Sequence, residues 1–116
     1  MAERERLICA ASELLELGRG VRFELERSGK PQAAFVVRFD GQLRAFLNQC
    51  GHVPVELDWQ EGEFFDYTRL YLICSTHGAL YHPASGACVG GRCAGRGLIP
   101  VPVVERDGQV YVIETA

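Results

Sequence analysis

Short strands bounded by turns, forming a mostly antiparallel β scaffold that carries a loop-built site, are what the patterning of this 116-residue chain predicts. Three observations lead there. Several segments alternate apolar and polar residues with the two-residue period of a half-buried strand. Two Asp-Gly pairs separate such segments, a strong hairpin signal. No stretch supports a long amphipathic helix.

Residues 5–10 fit a first strand. Ser12 suits the N-cap of one helical turn through Glu13-Leu-Leu-Glu-Leu17, closed by Gly18. Val21 to Arg27 alternates Val, Phe and Leu with Arg and Glu, as a half-buried strand does. Ser28-Gly-Lys-Pro31 is turn chemistry, and Ala33 to Phe39 reads as the next strand. Asp40-Gly41 then pairs it with Gln42 to Leu47. Near the C-terminus, Leu98 to Glu105, Asp107-Gly108 and Gln109 to Glu114 repeat the arrangement, and Pro100 and Pro102 put the first of these strands at an edge or make it start late. The expected layout is a single domain, 1–116. Its β base comes from about 1–47 and 98–116, and a subdomain of about 48–97 carries the site.

Composition narrows the function. Apolar residues at 47% and charged residues at 23% exclude a disordered or collagen-like chain. Twelve basic against fifteen acidic residues give a net charge of −3, with no basic cluster for nucleic acid. The longest apolar runs, such as Leu98 to Val104, are too short to span a bilayer. The opening residues lack the apolar core of a secretory signal, so no membrane partner and a cytoplasmic location are expected.

Five cysteines are many for this length, and an odd number cannot close into a full set of disulfides. A reducing compartment moves the odds from bridges toward metal ligands or reactive thiols. Residues 48–97 hold four of the five cysteines and all three histidines. Two motifs stand out there, Cys50-Gly51-His52 and Cys74-Ser75-Thr76-His77. Neighbours on a helix are three or four residues apart, so the Cys-x-His pair belongs to a loop. The second motif follows the apolar run Leu70-Tyr-Leu-Ile73 and precedes Gly78, which points to a loop leaving a strand. Each loop offers one thiolate and one imidazole, the ligands of zinc and iron–sulfur centres rather than of calcium or magnesium. A lone pair of this kind would be read as a buried cysteine and an ordinary histidine.

Cys-x-His followed by Cys-x-x-His-Gly resembles the Rieske iron–sulfur proteins, and the likeness runs on through Tyr81, the turn Pro83-Ala-Ser-Gly86 and the hairpin at Asp107-Gly108, over about residues 42–114. The resemblance implies an all-β Rieske-like antiparallel β-sandwich base with a loop-built cluster-binding subdomain. It also implies a 2Fe–2S cluster with Cys50 and Cys74 on the inner iron and His52 and His77 on the outer one. Two neutral imidazoles in place of two thiolates raise the formal charge of the oxidised cluster from roughly −2 to about zero, which raises its reduction potential. Gly51 and Gly78 suit backbone passing close to such a cluster.

Departures from the family are equally informative. Respiratory members tie their two ligand loops with a disulfide; the corresponding positions here are Val55 and Thr76. They also place a serine hydroxyl near the cluster where this chain has Ala79, while Tyr81 stands where a tyrosine donates to a ligand cysteine. The balance resembles the low-potential, ferredoxin-like branch. Cys88 and Cys93 fall in the family's third loop, where Arg92 replaces the usual proline; the pair could form a bridge, and free thiols are the favoured reading in a reducing cytoplasm. Cys9 reads as core and His82 as surface. Val53 to Thr68 carries Glu56, Asp58, Glu61, Glu63 and Asp66 with Trp59, Phe64, Phe65 and Tyr67. The favoured reading packs the aromatics beneath a long loop and leaves the acids solvated; the other makes this segment a docking face for a basic partner.

The function implied is one-electron transfer, with a redox protein partner: a flavin reductase, a terminal oxygenase or reductase, or both. Catalysis then belongs to the partner. The alternative is a structural zinc Cys2His2 module without a redox role. A cysteine nucleophile at Cys74 with His77 as base is the weaker third reading, because a base three residues away in the same loop is an unusual placement. If His52 and His77 bind iron, their free ring nitrogens can lose a proton, coupling potential to pH. The midpoint potential is then expected to fall as pH rises, and protein-film voltammetry giving a flat profile would refute this.

Overall fold

The computed structural model describes residues 3–27, 29–50, 55–58, 60–76, 78–91 and 96–115. Among these, nine strands form three antiparallel sheets of three: β1 (Glu3–Ala10), β2 (Val21–Arg27), β3 (Lys30–Phe39), β4 (Gln42–Leu47), β5 (Leu72–Ile73), β6 (Leu80–Tyr81), β7 (Cys88–Gly90), β8 (Val103–Arg106) and β9 (Gln109–Thr115). The sheet orders are β1-β9-β8, β2-β3-β4 and β5-β6-β7. The chain is all-β, and among the described residues no helix is long and apolar enough to cross a membrane.

Turn chemistry fixes the long hairpins. Asp40 and Gly41 have φ of 55° and 73°, and Asp107 and Gly108 have 52° and 75°. Positive φ at both central residues is the type I′ turn that matches strand twist, so Phe39 faces Gln42 and Arg106 faces Gln109. Lys30 already pairs with Arg27, so β3 starts earlier than Ala33. The prolines act as expected: Pro100 makes only an isolated bridge to Phe46, β8 begins at Val103, and β8 lies at a sheet edge.

The helical turn differs from expectation. A 3₁₀ turn covers Ala11–Glu13 with Ala10, not Ser12, at its cap, and the Glu13 carboxylate accepts from Ala10 N at 2.9 Å. Leu14 is already extended. Tertiary bonds pull the chain straight: Leu17 N donates to Arg38 O at 2.9 Å, and the Glu16 carboxylate accepts from Asp40 N and Gly41 N at 2.6 and 2.8 Å. Leu14 is thereby buried in the sandwich core. Two such anchors outweigh the weak propensity of a single helical turn.

Two cores share strand β3. Cys9, Leu25, Ala34, Val36, Leu47, Val110 and Val112 fill the space between the sheets β1-β9-β8 and β2-β3-β4. Phe35 and Val37 point the other way, into a cluster with Phe46, Cys50, Leu57, Phe64, Cys74 and Tyr81. Alternate residues of a strand face opposite sides, so the run Ala34-Phe-Val-Val37 is buried on both. Cys9 is core, as expected, and burial pushes its thiol up to about 11.

A buried carboxylate helps tie the two sheets of the sandwich together. The buried Glu114 on β9 accepts from Arg6 of β1 at 3.1 Å and from Glu26 N of β2 at 3.0 Å. The Arg6 bond first, then the Glu26 N–H, holds its carboxyl below the ordinary 4.5. A depressed folded-state pKa contributes stability above the unfolded value, lost as pH falls through the folded one. Glu114→Gln is therefore expected to cost about 1–2 kcal/mol at neutral pH. In denaturant melts the gap from the parent should narrow as pH falls below 4.5; a gap constant with pH would refute this role.

Candidate metal centre

The first loop begins where β4 stops. Asn48 N donates back to Ala33 O at 2.9 Å, and Cys50 N donates to Val55 O at 2.7 Å, so the chain turns away from the sheet at Cys50. The second loop is a tight turn between β5 and β6. Cys74 N donates to Ala79 O at 2.9 Å and Gly78 N to Cys74 O at 2.7 Å, while Gly78 takes φ of 72° to bring the chain back into β6. Cys74 thus lies in a loop leaving a strand, as its spacing suggests. The described end of a third segment presses on this turn. Gly91 has φ of 78°, and a Cβ there would fall 2.5 Å from Gly78 O. Only a glycine permits that approach.

Cys50 and Cys74 are 4% and 0% exposed and lie in the same buried cluster, neither of them in a disulfide. Two thiols presented by separate loops into one buried cluster fit the cysteine half of an iron–sulfur ligand set. His52, His77 and Gly51 lie outside the described residues. Tyr81, wholly buried on β6, brings its Oη to 3.5 Å from Cys50 Sγ, so it is both a packed strand aromatic and a polar neighbour of that sulfur. Ala79 is fully buried in the same cluster and has no hydroxyl to add.

The expectation of free thiols at Cys88 and Cys93 fails at Cys88, which is disulfide-bonded. Cys93 and Arg92 lie outside the described residues. Compartment is a statistical guide, whereas a bond depends on local approach, which spacing alone does not give. His82 is exposed, as expected, with Nδ1 accepting from Ala84 N at 3.1 Å.

Residues 53–68 divide. Phe64 is fully buried and stacks on Phe35 with ring centroids 3.9 Å apart, and Phe65 is also buried, as expected of aromatics beneath a loop. Tyr67 is 96% exposed instead, and Trp59 lies outside the described residues. The acids are not simply solvated. Glu56 pairs with Arg22 at 2.6 Å, Glu63 with Arg19 at 3.9 Å, and Asp58 is buried, accepting from Asn48 Nδ2 at 3.1 Å and Gly62 N at 3.0 Å. Their cationic partners come from the stretch Arg19–Arg22, remote in sequence. Nothing local in the sequence marks Asn48 or Asp58 as partners.

Among curated proteins, none matches the chain. Solved structures do. The ferredoxin of carbazole 1,9a-dioxygenase from Nocardioides aromaticivorans IC177 is 21% identical with a TM-score of 0.70, the match covering 96% of this chain and 98% of that one. The Sphingomonas yanoikuyae B1 ferredoxin is 21% identical with a TM-score of 0.69, over 97% and 100%. A chain in the complex of reduced oxygenase and oxidized ferredoxin in carbazole 1,9a-dioxygenase is 24% identical with a TM-score of 0.73, over 97% and 95%. At these identities the likeness is one of fold. The model of the Rieske [2Fe-2S] domain matches residues 5–105, most of the chain. The chain therefore belongs to the Rieske family, and a 2Fe–2S cluster is its cofactor.

Proposed function

We propose that this protein is a one-electron carrier of the ferredoxin type, with Cys50, His52, Cys74 and His77 holding the cluster, and that it serves a terminal oxygenase supplied by a reductase. One observation carries the reading: Cys50 and Cys74, from two separate loops, are buried in one cluster with the Tyr81 hydroxyl at the Cys50 sulfur. The bound cluster would supply a site that accepts and releases single electrons at a potential raised by its two imidazoles. The protein's part is to exclude water from the cysteine side, through Phe46, Leu57, Phe64 and Leu72, and to offer the Tyr81 hydroxyl to the Cys50 sulfur.

The partner class is supported by resemblance to a ferredoxin solved in complex with an oxygenase. The division into a β base of about 1–47 and 98–116 and a cluster-binding subdomain of about 48–97 belongs to the same proposal. So does a cytoplasmic location. The structural zinc module is set aside because the family's cofactor is the iron–sulfur cluster.

Aerobically purified protein is expected to be red-brown, with about two iron and two sulfide per chain and, once reduced, an EPR signal of average g below about 2. Cys50→Ser and Cys74→Ser should lose the cluster. His77→Cys should keep some cluster with a potential lower by roughly 100 mV or more. Colourless protein holding one zinc would refute the carrier, and an unchanged potential in His77→Cys would remove His77 from the ligand set.

A further inference from the structure

Between the two ligand loops lies a buried polar pair that electron transfer itself does not use. Asn48 is 2% exposed and the Asp58 side chain is wholly buried. Asn48 Nδ2 donates to Asp58 Oδ1 at 3.1 Å, and Asn48 Oδ1 accepts from Leu57 N at 2.8 Å. The other oxygen, Asp58 Oδ2, accepts from Gly62 N at 3.0 Å and lies 3.6 Å from Arg22 Nε. Leu57, fully buried between them, accepts from Ser75 N at 2.9 Å through its carbonyl. The Leu57 backbone is therefore held on one side by Asn48, two residues before Cys50, and on the other by Ser75, the residue after Cys74.

We propose that the Asn48–Asp58 pair is a clasp that sets the spacing of the Cys50 and Cys74 loops, with Leu57 as its crossbar. The proposal rests on the reading of Cys50 and Cys74 as ligands. Asn48 is the only side chain in the clasp that both donates to Asp58 and accepts from Leu57 N. An amide is the group that does both at once, which fixes its orientation. Asp58 in turn is locked by two donors and the nearby guanidinium, so the clasp does not rotate about its own bonds. The loops carry no covalent tie at Val55 and Thr76, where a valine and a threonine stand, and this non-covalent link does that work. Asn48 and Asp58 are positioning residues: they touch neither cysteine in these bonds and act through Leu57.

The chemistry of the pair gives a sharp test. Asn48→Asp keeps the acceptor for Leu57 N but sets a second buried carboxylate against Asp58, so the pair either repels or must take up a proton to keep its bond, at a cost the parent amide does not bear. Asp58→Asn on that background restores the hydrogen bonds though not the charge beside Arg22: the new amide donates to the carboxylate at 48 and accepts from Gly62 N. Holoproteins are challenged with an iron chelator, and the EPR g-values and midpoint potential of the remaining cluster are read beside the unfolding temperature. N48D is expected to lose iron on the order of tenfold faster than the parent, with shifted g-values. The N48D/D58N double variant should return to within about threefold, with parental g-values. If N48D yields no folded protein, recovery of red protein by the double variant is the expected result.

Parental iron loss and g-values in N48D would overturn the clasp. So would a double variant no nearer the parent than N48D, or one whose unfolding temperature recovers while its g-values do not. Cys50→Ser and Cys74→Ser separate the two levels. If they keep an unaltered cluster, the ligand reading fails; if they lose it while N48D behaves as the parent, only the clasp fails.

Discussion

Burial of β3 on both faces is the constraint from which the rest of the molecule follows. Ala34 and Val36 close the sandwich, while Phe35 and Val37 close the layer that holds the two cysteines, all four at 0% exposure. Burying side chains of this size stabilises by about 1.5–3 kcal/mol each for the larger ones. The gain is realised only if both layers are present together. The stacking of Phe35 on Phe64 is the junction itself. It presses the irregular chain that leads into β5 and Cys74 against the same strand whose partner, β4, leads into Cys50. Two loops distant in sequence are thereby referred to one rigid element.

The irregular layer has little regular hydrogen bonding to stiffen it, since β5 and β6 are two residues each and β7 three. Side chains take over that task. Two buried carboxylates act alike in different places. Glu114, paired with Arg6 in its own sheet, reaches the facing sheet through Glu26 N, and Asp58 joins Asn48 to Gly62 N. A buried carboxylate is costly unless its oxygens are satisfied, so each of these sites is specified by several partners at once. Glu56, Glu61 and Glu63 of the same segment have their charge partly answered by Arg22 and Arg19. That region is better described as an internally paired brace than as a bare acidic face.

Tyr81 links the two levels of organisation. Its place on β6 and full burial are packing properties, and its hydroxyl beside Cys50 Sγ is a chemical one. Neighbouring strand β7 pairs Cys88 with Tyr81 in register, so the disulfide-bonded residue and the hydroxyl-bearing one lie side by side in the smallest sheet. The stiffness of this corner comes from those contacts and from Gly91 lying against Gly78.

The sequence by itself determined the elements whose information is local. Period-two alternation gave Val21 to Arg27 its strand, Asp-Gly pairs placed two type I′ hairpins, and Pro100 and Pro102 delayed β8, because backbone sterics act over a few residues. The two Cys/His motifs and the family they point to were legible for the same reason: residue type and spacing are local. Only the tertiary structure decided the rest. Ser12 failed as a cap because Leu14, Glu16 and Leu17 found partners across the fold, and solvated acids became the Arg22–Asp58–Asn48 network because their partners lie 36 and 10 residues away along the chain. Long-range pairing has no local signature; it exists only once burial has removed water as the competing partner.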